Sequence, residues 1–136
     1  DGIVYATAVS LGFATMENVL FSIYYQPDIA ALISRALLPV SGHALFGVIM
    51  GYYFGQARYD IYLERRNIRK ALFLPILWHG MFDFILLWGN NWLWLIVPFM
   101  VVLWYRGLRK VNLASGMPIL GPPATKDKVK ISANGQ

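Results

Sequence analysis

Five polar side chains inside the apolar stretches of this sequence have the chemistry of a hydrolytic site. They are Glu17, Asn18, His43, His79 and Asp83. Carboxylates and imidazoles accept and donate protons, so together they can serve as general base and general acid. They are also zinc ligands, and a catalytic zinc takes three protein ligands and a water. Glu17, His43 and His79 are therefore candidate metal ligands, but no HExxH pair is present, so this interpretation depends on ligand type alone.

The apolar surroundings of these residues favour a functional role, because an ionisable group in the hydrocarbon core is costly and marks a site. Glu17 is the one charged residue between Gly2 and Tyr25. Structural alternatives stay open. Glu17 and Asn18 could bond across helices, His43 could be a buried structural residue, and His79 with Asp83 could satisfy each other one helical turn apart.

The composition indicates an integral membrane protein. The chain of 136 residues is 57% hydrophobic and 14% charged, whereas soluble domains have roughly 25% charged residues. It contains no cysteine, which excludes a disulfide framework and a thiol nucleophile. It begins at Asp1 without an initiator methionine, and we expect a longer protein of which this is a part.

Hydrophobic patterning predicts an all-α, polytopic membrane helix bundle of about four transmembrane helices, since about 20 apolar residues cross the hydrocarbon core. A short segment, Ile29 to Leu38, is predicted to be interfacial or re-entrant. Residues 89–91 are predicted to form a tight turn, and residues 56–70 a polar connector. The predicted spans are residues 2–25, 39–55, 71–88 and 92–105.

The basic residues predict the orientation. They concentrate in residues 58–70 and 106–110, whereas residues 26–35 have one arginine and residues 89–91 have no charge. The positive-inside rule then places both ends of the chain in the cytoplasm. Because the net charge of +5 is explained by these flanks, we expect no nucleic-acid partner. We divide the chain into a membrane-embedded helical domain, residues 1–110, and a flexible cytoplasmic tail, residues 111–136.

The same topology places the candidate residues at one depth. Counted inward from the outer ends of the spans at about 1.5 Å per residue, Glu17, His43, His79 and Asp83 fall in one layer about 7 Å thick. His43 precedes Gly47, Gly51 and Gly55, which are spaced by four residues and should allow another helix to approach closely. Four ionisable groups from three helices in one layer favour a shared site over four separate structural roles.

The polar motifs resemble the PrsW family of intramembrane proteases. The resemblance rests on Gly12-Phe13-Ala-Thr-Met-Glu17-Asn18, then Gly42-His43, then His79-Gly-Met-Phe-Asp83. The family is similar to the type II CAAX prenyl endopeptidases, in which EExxxR is followed by FxxxH and HxxxN/D motifs. Phe13 to Glu17 corresponds to the second motif with Glu in place of His, and His79 to Asp83 resembles the third.

This resemblance implies an intramembrane endopeptidase that cleaves membrane-spanning or membrane-tethered regulatory proteins, such as anti-sigma factors, in a bacterial or archaeal cytoplasmic membrane. It implies Glu17, His43, His79 and Asp83 as the catalytic set, with Asn18 in support and zinc as the cofactor if a metal is used. The family's first motif, EExxK, is absent from this sequence. Either it lies upstream of Asp1, or this piece is incomplete and inactive as given. The alternative is a non-enzymatic membrane scaffold or an ion- or proton-handling helix bundle.

Overall fold

The computed structural model describes residues 2–60, 62–88 and 92–116, and these form helices joined by short turns. No strand occurs within these ranges. The all-α membrane-bundle class expected from the sequence is therefore confirmed. The five helices are α1, Gly2–Tyr25; α2, Ile29–Leu37; α3, Pro39–Tyr59; α4, Glu64–Leu87; and α5, Trp92–Ser115.

A compact corner joins α1 to α2. Gln26 has a φ of 43°, in the left-handed region, which ends α1. Asp28 then caps α2, and its side chain accepts a hydrogen bond from the Ala31 N–H at 2.8 Å. Such a cap satisfies a donor that the first turn of a helix leaves free. Only Leu38 separates α2 from α3, and it keeps helical backbone angles, so the segment predicted as interfacial is a short helix leading into α3.

α3 is the central helix, because it packs against α1, α2, α4 and α5. Its approach to α1 is unusually close at two glycines. A Cβ at Gly47 would lie 2.6 Å from the Thr7 Cα, and one at Gly51 would lie 2.5 Å from the Ile3 Cα. A Cβ at Gly55 would meet no atom within 4 Å. The predicted small-residue contact is thus made by Gly47 and Gly51, whereas the Cβ position of Gly55 is open.

The apolar core lies on the other side of α3, between α3, α4 and α5. Its buried side chains come from all three helices, and it fixes α4 and α5 relative to α3. Because α1 takes no part in this core, its position depends on the glycine contacts and on polar bonds. The core comprises Leu45, Phe46, Ile49, Phe82, Ile96, Phe99, Met100 and Leu103.

Three helical stretches of the described chain are long and apolar enough to span a membrane: Gly2–Tyr25, Ile29–Tyr59 and Glu64–Leu87. α5 is not among them. Its apolar part ends at Tyr105, and Arg106 begins its basic part. From Trp92 to Tyr105 a helix extends only about 20 Å, so the fourth predicted span stays a prediction.

The helices extend beyond the apolar stretches that the sequence marks. α3 continues to Tyr59, and α4 begins at Glu64, so the predicted connector of residues 56–70 is mostly helical. α5 continues to Ser115, past the predicted domain boundary at residue 110. Hydropathy marks the part of a helix that lies in hydrocarbon, and Arg, Lys and Glu are good helix formers that prolong it. The predicted turn at 89–91 and the predicted tail beyond residue 116 lie outside the described residues.

Candidate active site

Glu17 and His43 form a short polar contact between α1 and α3. The His43 Nε2 lies 2.7 Å from the Glu17 Oε2. Because a carboxylate only accepts hydrogen bonds, the imidazole donates from Nε2. About two turns earlier on α1, the Ser10 hydroxyl donates to the His43 carbonyl oxygen at 2.7 Å. Together with the glycine contacts, these bonds fix the Glu17 carboxylate beside the imidazole.

His79 and Asp83 supply the α4 side of the site. The His79 Nδ1 lies 2.8 Å from the Asp83 Oδ2, one helical turn away. With Nδ1–H donating to Asp83, Nε2 carries the free lone pair, and it lies 3.8 Å from the Glu17 Oε1. The two oxygens of Glu17 therefore face one histidine each. A carboxylate on the far nitrogen is the usual way to orient a catalytic or metal-binding histidine.

Two phenylalanines border the histidines. The Phe13 ring centroid lies 5.8 Å from that of His43 and 6.4 Å from that of His79. Phe46, on α3, lies within 6 Å of both imidazoles. The imidazole rings themselves are 4.8 Å apart and nearly perpendicular. Aromatic walls exclude water and lower the local dielectric, which strengthens the electrostatic interactions between the polar groups.

The four side chains of the site differ in how far they are exposed. The His43 side chain is 5% exposed, His79 is 27%, Glu17 is 33% and Asp83 is 52% exposed. Phe13, on the same side, is 57% exposed. α3 thus forms the floor of the site, and the opening lies between α1 and α4. A ligand can reach the carboxylate and the lone pair of His79 from that side.

The sequence-predicted residues divide into two groups in the structure. Glu17, His43, His79 and Asp83 come together, as their matched depths predicted. Asn18 bonds elsewhere: its Oδ1 accepts a hydrogen bond from the Arg35 Nε at 3.0 Å. It therefore ties α1 to α2, as a cross-helix bond would.

Arg35 lies in the segment predicted to be interfacial or re-entrant and was not among the candidate site residues. Besides bonding Asn18, its guanidinium lies 4.1 Å from the centre of the Phe21 ring. Both contacts hold α2 against the part of α1 that carries Glu17. The signal available in the sequence was the single cation of an apolar segment, for which a buried polar partner should have been sought.

Glu17, His43 and His79 fit a zinc ion by donor type and by spacing. Each offers one ligand atom, and the three atoms lie within 4.8 Å of one another. Ligand atoms around a tetrahedral zinc are about 3.4 Å apart, and two histidines with one glutamate form a known catalytic set. The separations of 2.7 and 3.8 Å join the two histidines to different oxygens of Glu17, so the side chains must adjust for both imidazoles and one carboxylate oxygen to hold the same ion. Asp83 would be the carboxylate that orients the ligand His79.

Apolar helices and a Glu–His–His–Asp cluster opening between two of them define a membrane-embedded polar site suited to hydrolysis. The comparison with known families agrees with this class. Residues 1–106 match the model of the PrsW family of intramembrane metalloproteases. The chain belongs to this family, and it is an integral membrane protein.

The relatives with assigned names are bacterial. The chain is 49% identical over 121 residues to Protease PrsW of Bacillus subtilis, covering 88% of this chain and 55% of that protein. It is 47% identical over 116 residues to Protease PrsW of Halalkalibacterium halodurans, covering 85% and 53%. The chain is 34% identical over 117 residues to Protease PrsW of Clostridioides difficile, covering 82% of this chain and 49% of that protein. The chain thus spans about half the length of these relatives, and no solved structure is significantly similar to it.

Proposed function

We propose that the full-length protein is an intramembrane endopeptidase whose hydrolytic centre contains Glu17, His43, His79 and Asp83. The observation that carries the proposal is the position of the Glu17 carboxylate, with one oxygen 2.7 Å from His43 and the other 3.8 Å from His79. A carboxylate between two imidazoles has a neighbouring proton donor and a neighbouring lone pair. Peptide hydrolysis needs one group to take a proton from water and another to give a proton to the leaving amine.

Each side chain has a distinct part in the proposed reaction. Glu17 takes the proton from the attacking water, which approaches through the opening between α1 and α4. Glu17 then passes that proton to a neighbouring histidine, and the imidazolium so formed gives it to the amine nitrogen as the peptide bond breaks. Asp83 holds the Nδ1–H of His79, so that Nε2 stays directed at Glu17. Phe46, which is buried, closes the inner side of the site against bulk water.

In a metal-containing centre, a zinc ion would be held by Glu17, His43 and His79, with Asp83 behind His79. Glu17 would then be a ligand and not the base that takes the proton from water. When bound there, it would supply Lewis acidity to the scissile carbonyl. Binding also requires the Nε2 of His43 to lose its proton, since a metal ligand must offer a lone pair.

The proposed substrate is a membrane-spanning or membrane-tethered regulatory protein, of which an anti-sigma factor is an example. Two features support this class. The site opens sideways between α1 and α4, and the chain belongs to a family of intramembrane proteases. The bacterial relatives and the distribution of Lys and Arg support a cytoplasmic membrane with both ends of this segment in the cytoplasm.

The function is tested by His43→Gln in the full-length protein, with a membrane-tethered reporter as substrate. Removing one acid–base group lowers such reactions by about 10² to 10⁴-fold, and we expect cleavage to fall within that range. Zinc measured in the same purified samples should fall from about one equivalent to a small fraction, since a site with three protein ligands loses one. Undiminished cleavage would contradict the assignment of His43 to the site, whereas no cleavage by the wild-type protein would favour the non-enzymatic helix bundle.

Asp83→Asn should lower the turnover number of the full-length protein by about 10 to 100-fold, the usual effect of losing a carboxylate behind a histidine. The asparagine keeps the size of the side chain but removes the charge that orients and polarises His79. The Michaelis constant for the reporter should change little, because Asp83 touches His79 and not the substrate. If the Michaelis constant rose by about 10 to 100-fold while the turnover number stayed unchanged, Asp83 would instead be assigned to substrate binding.

A further inference from the structure

A second cavity, of about 410 Å³, lies between α3, α4 and α5, away from the Glu–His cluster. Arg106, Arg109 and Lys110 of α5 line one side. Tyr53 of α3 and Trp78 of α4 line the facing sides. The cavity therefore combines three cations with aromatic rings from two other helices, an arrangement that neither the fold nor the proposed hydrolysis uses.

Aromatic groups hold two of the cations in place. The Lys110 Nζ donates to the Tyr53 hydroxyl at 3.1 Å and lies 4.2 Å from the centre of the Tyr52 ring. The Arg106 guanidinium lies 5.5 Å from the centre of the Trp78 ring. Cation–π contacts fix a charge without neutralising it. Both side chains thus line the cavity with their positions fixed by aromatic rings.

No carboxylate compensates these charges within the described part of the chain. The ion pairs found there join histidines to acids, and none includes a lysine or an arginine. Lys70 adds to the excess, since its Nζ lies 5.6 Å from the Tyr53 ring. Clustered like charges repel one another, and a bound anion would remove that repulsion.

The remaining wall of the cavity is apolar. Ile49 is buried, Leu74 is partly buried, and both face the cavity beside Leu113. An inorganic anion would leave this surface without a partner. A ligand with a phosphate at one end and a hydrocarbon chain at the other would fill both parts.

The location of the cavity agrees with a lipid ligand. On α3, Tyr53 lies ten residues beyond His43, about 15 Å along the helix, toward the end of the bundle where Lys and Arg collect. Basic pockets between helices at the cytoplasmic side of a membrane bind acidic lipid head groups. We propose that this cavity binds one anionic phospholipid, with its phosphate among Arg106, Arg109 and Lys110 and an acyl chain along Ile49, Leu74 and Leu113.

The proposal is tested by native mass spectrometry of the full-length protein in detergent, titrated separately with phosphatidylglycerol, phosphatidylcholine and inorganic phosphate. We expect one phosphatidylglycerol to bind at least about tenfold more tightly than phosphatidylcholine. The double variant Arg106→Gln with Lys110→Gln should lose this preference. The charge-matched control, Arg65→Gln with Arg66→Gln on the exposed start of α4, should keep it.

Each other outcome overturns the proposal. Equal binding of the two lipids, or an unchanged preference in the double variant, would show that the cavity does not select an anionic lipid. Inorganic phosphate that displaces the lipid at equal concentration would assign the cavity to a soluble anion. To separate binding from folding, Arg106→Lys with Lys110→Arg keeps the charge and should keep the preference. If this variant is folded but also loses the preference, positive charge is not what binds the lipid.

Discussion

Glu17→Gln in the full-length protein is expected to lower reporter cleavage by about 10³-fold, within the range for loss of a general base. Glutamine has nearly the same size, and its carbonyl oxygen can still accept a hydrogen bond from His43, so the contact between α1 and α3 is kept. It cannot accept a proton from water at neutral pH. The loss should therefore appear in turnover, while the amount of folded protein in the membrane and its melting temperature stay close to those of the wild type.

The matched control for this substitution is Glu64→Gln. Glu64 is an exposed acid in the first turn of α4 and lies outside the site. The same change of charge there should leave cleavage within about twofold of wild type, as for surface substitutions generally. If Glu17→Gln cleaves as well as Glu64→Gln does, the carboxylate of Glu17 has no chemical role and the proposed mechanism is wrong.

Gly47→Ala should be strongly disruptive although it adds a single methyl group. The new Cβ would lie 2.6 Å from the Thr7 Cα and 2.9 Å from the Ala6 carbonyl oxygen. Both are backbone atoms, so α1 itself must move away by about 1 Å to reach van der Waals contact. Overpacking of this kind costs about 1–3 kcal/mol. A displacement of about 1 Å in a catalytic group can cost about 100-fold in rate, and Glu17 is carried by the helix that moves.

Gly55→Ala is the control for Gly47→Ala, because it makes the same change on the same glycine stripe. Its Cβ would meet no atom within 4 Å, so no clash opposes the gain of up to about 1 kcal/mol that alanine brings to a helix interior. Thermal unfolding in detergent and reporter cleavage should be measured for both. Equal melting temperatures and equal cleavage would mean that α1 and α3 are not held at the distance seen in the structure.

The convergence of the four ionisable side chains could be predicted because it depends on two regular quantities. The helical rise gives the depth of each residue, and the spacing of His79 and Asp83 gives their common helix face. The position of His43 on the glycine stripe predicted that it faces another helix. The sequence could not say which helix, because a small-residue pattern marks one surface and does not identify its partner. The structure assigns that partner as α1, through Thr7 and Ile3.

The sequence could not identify Asn18 as the partner of Arg35, for a different reason. Their contact joins residues 17 positions apart across the corner at Gln26, and the angle of that corner depends on a left-handed backbone angle that glutamine does not usually adopt. The helix ends were also missed, since α3 and α4 extend through charged residues that hydropathy assigns to a connector. Whether α5 crosses the bilayer is likewise undetermined by its composition, because its apolar part is short and its basic part begins within the helix.

The Glu–His cluster draws one side chain from each of α1, α3 and α4, and α1 takes no part in the apolar core. Any ligand that Glu17, His43 and His79 bind at once would link the three helices noncovalently. Its binding energy would add to the energy that keeps α1 in place, as for any ligand that binds only the folded state. Ligand binding at the centre and the packing of α1 against the bundle would then be thermodynamically coupled. A bound ligand would oppose the separation of α1, and its loss would permit it.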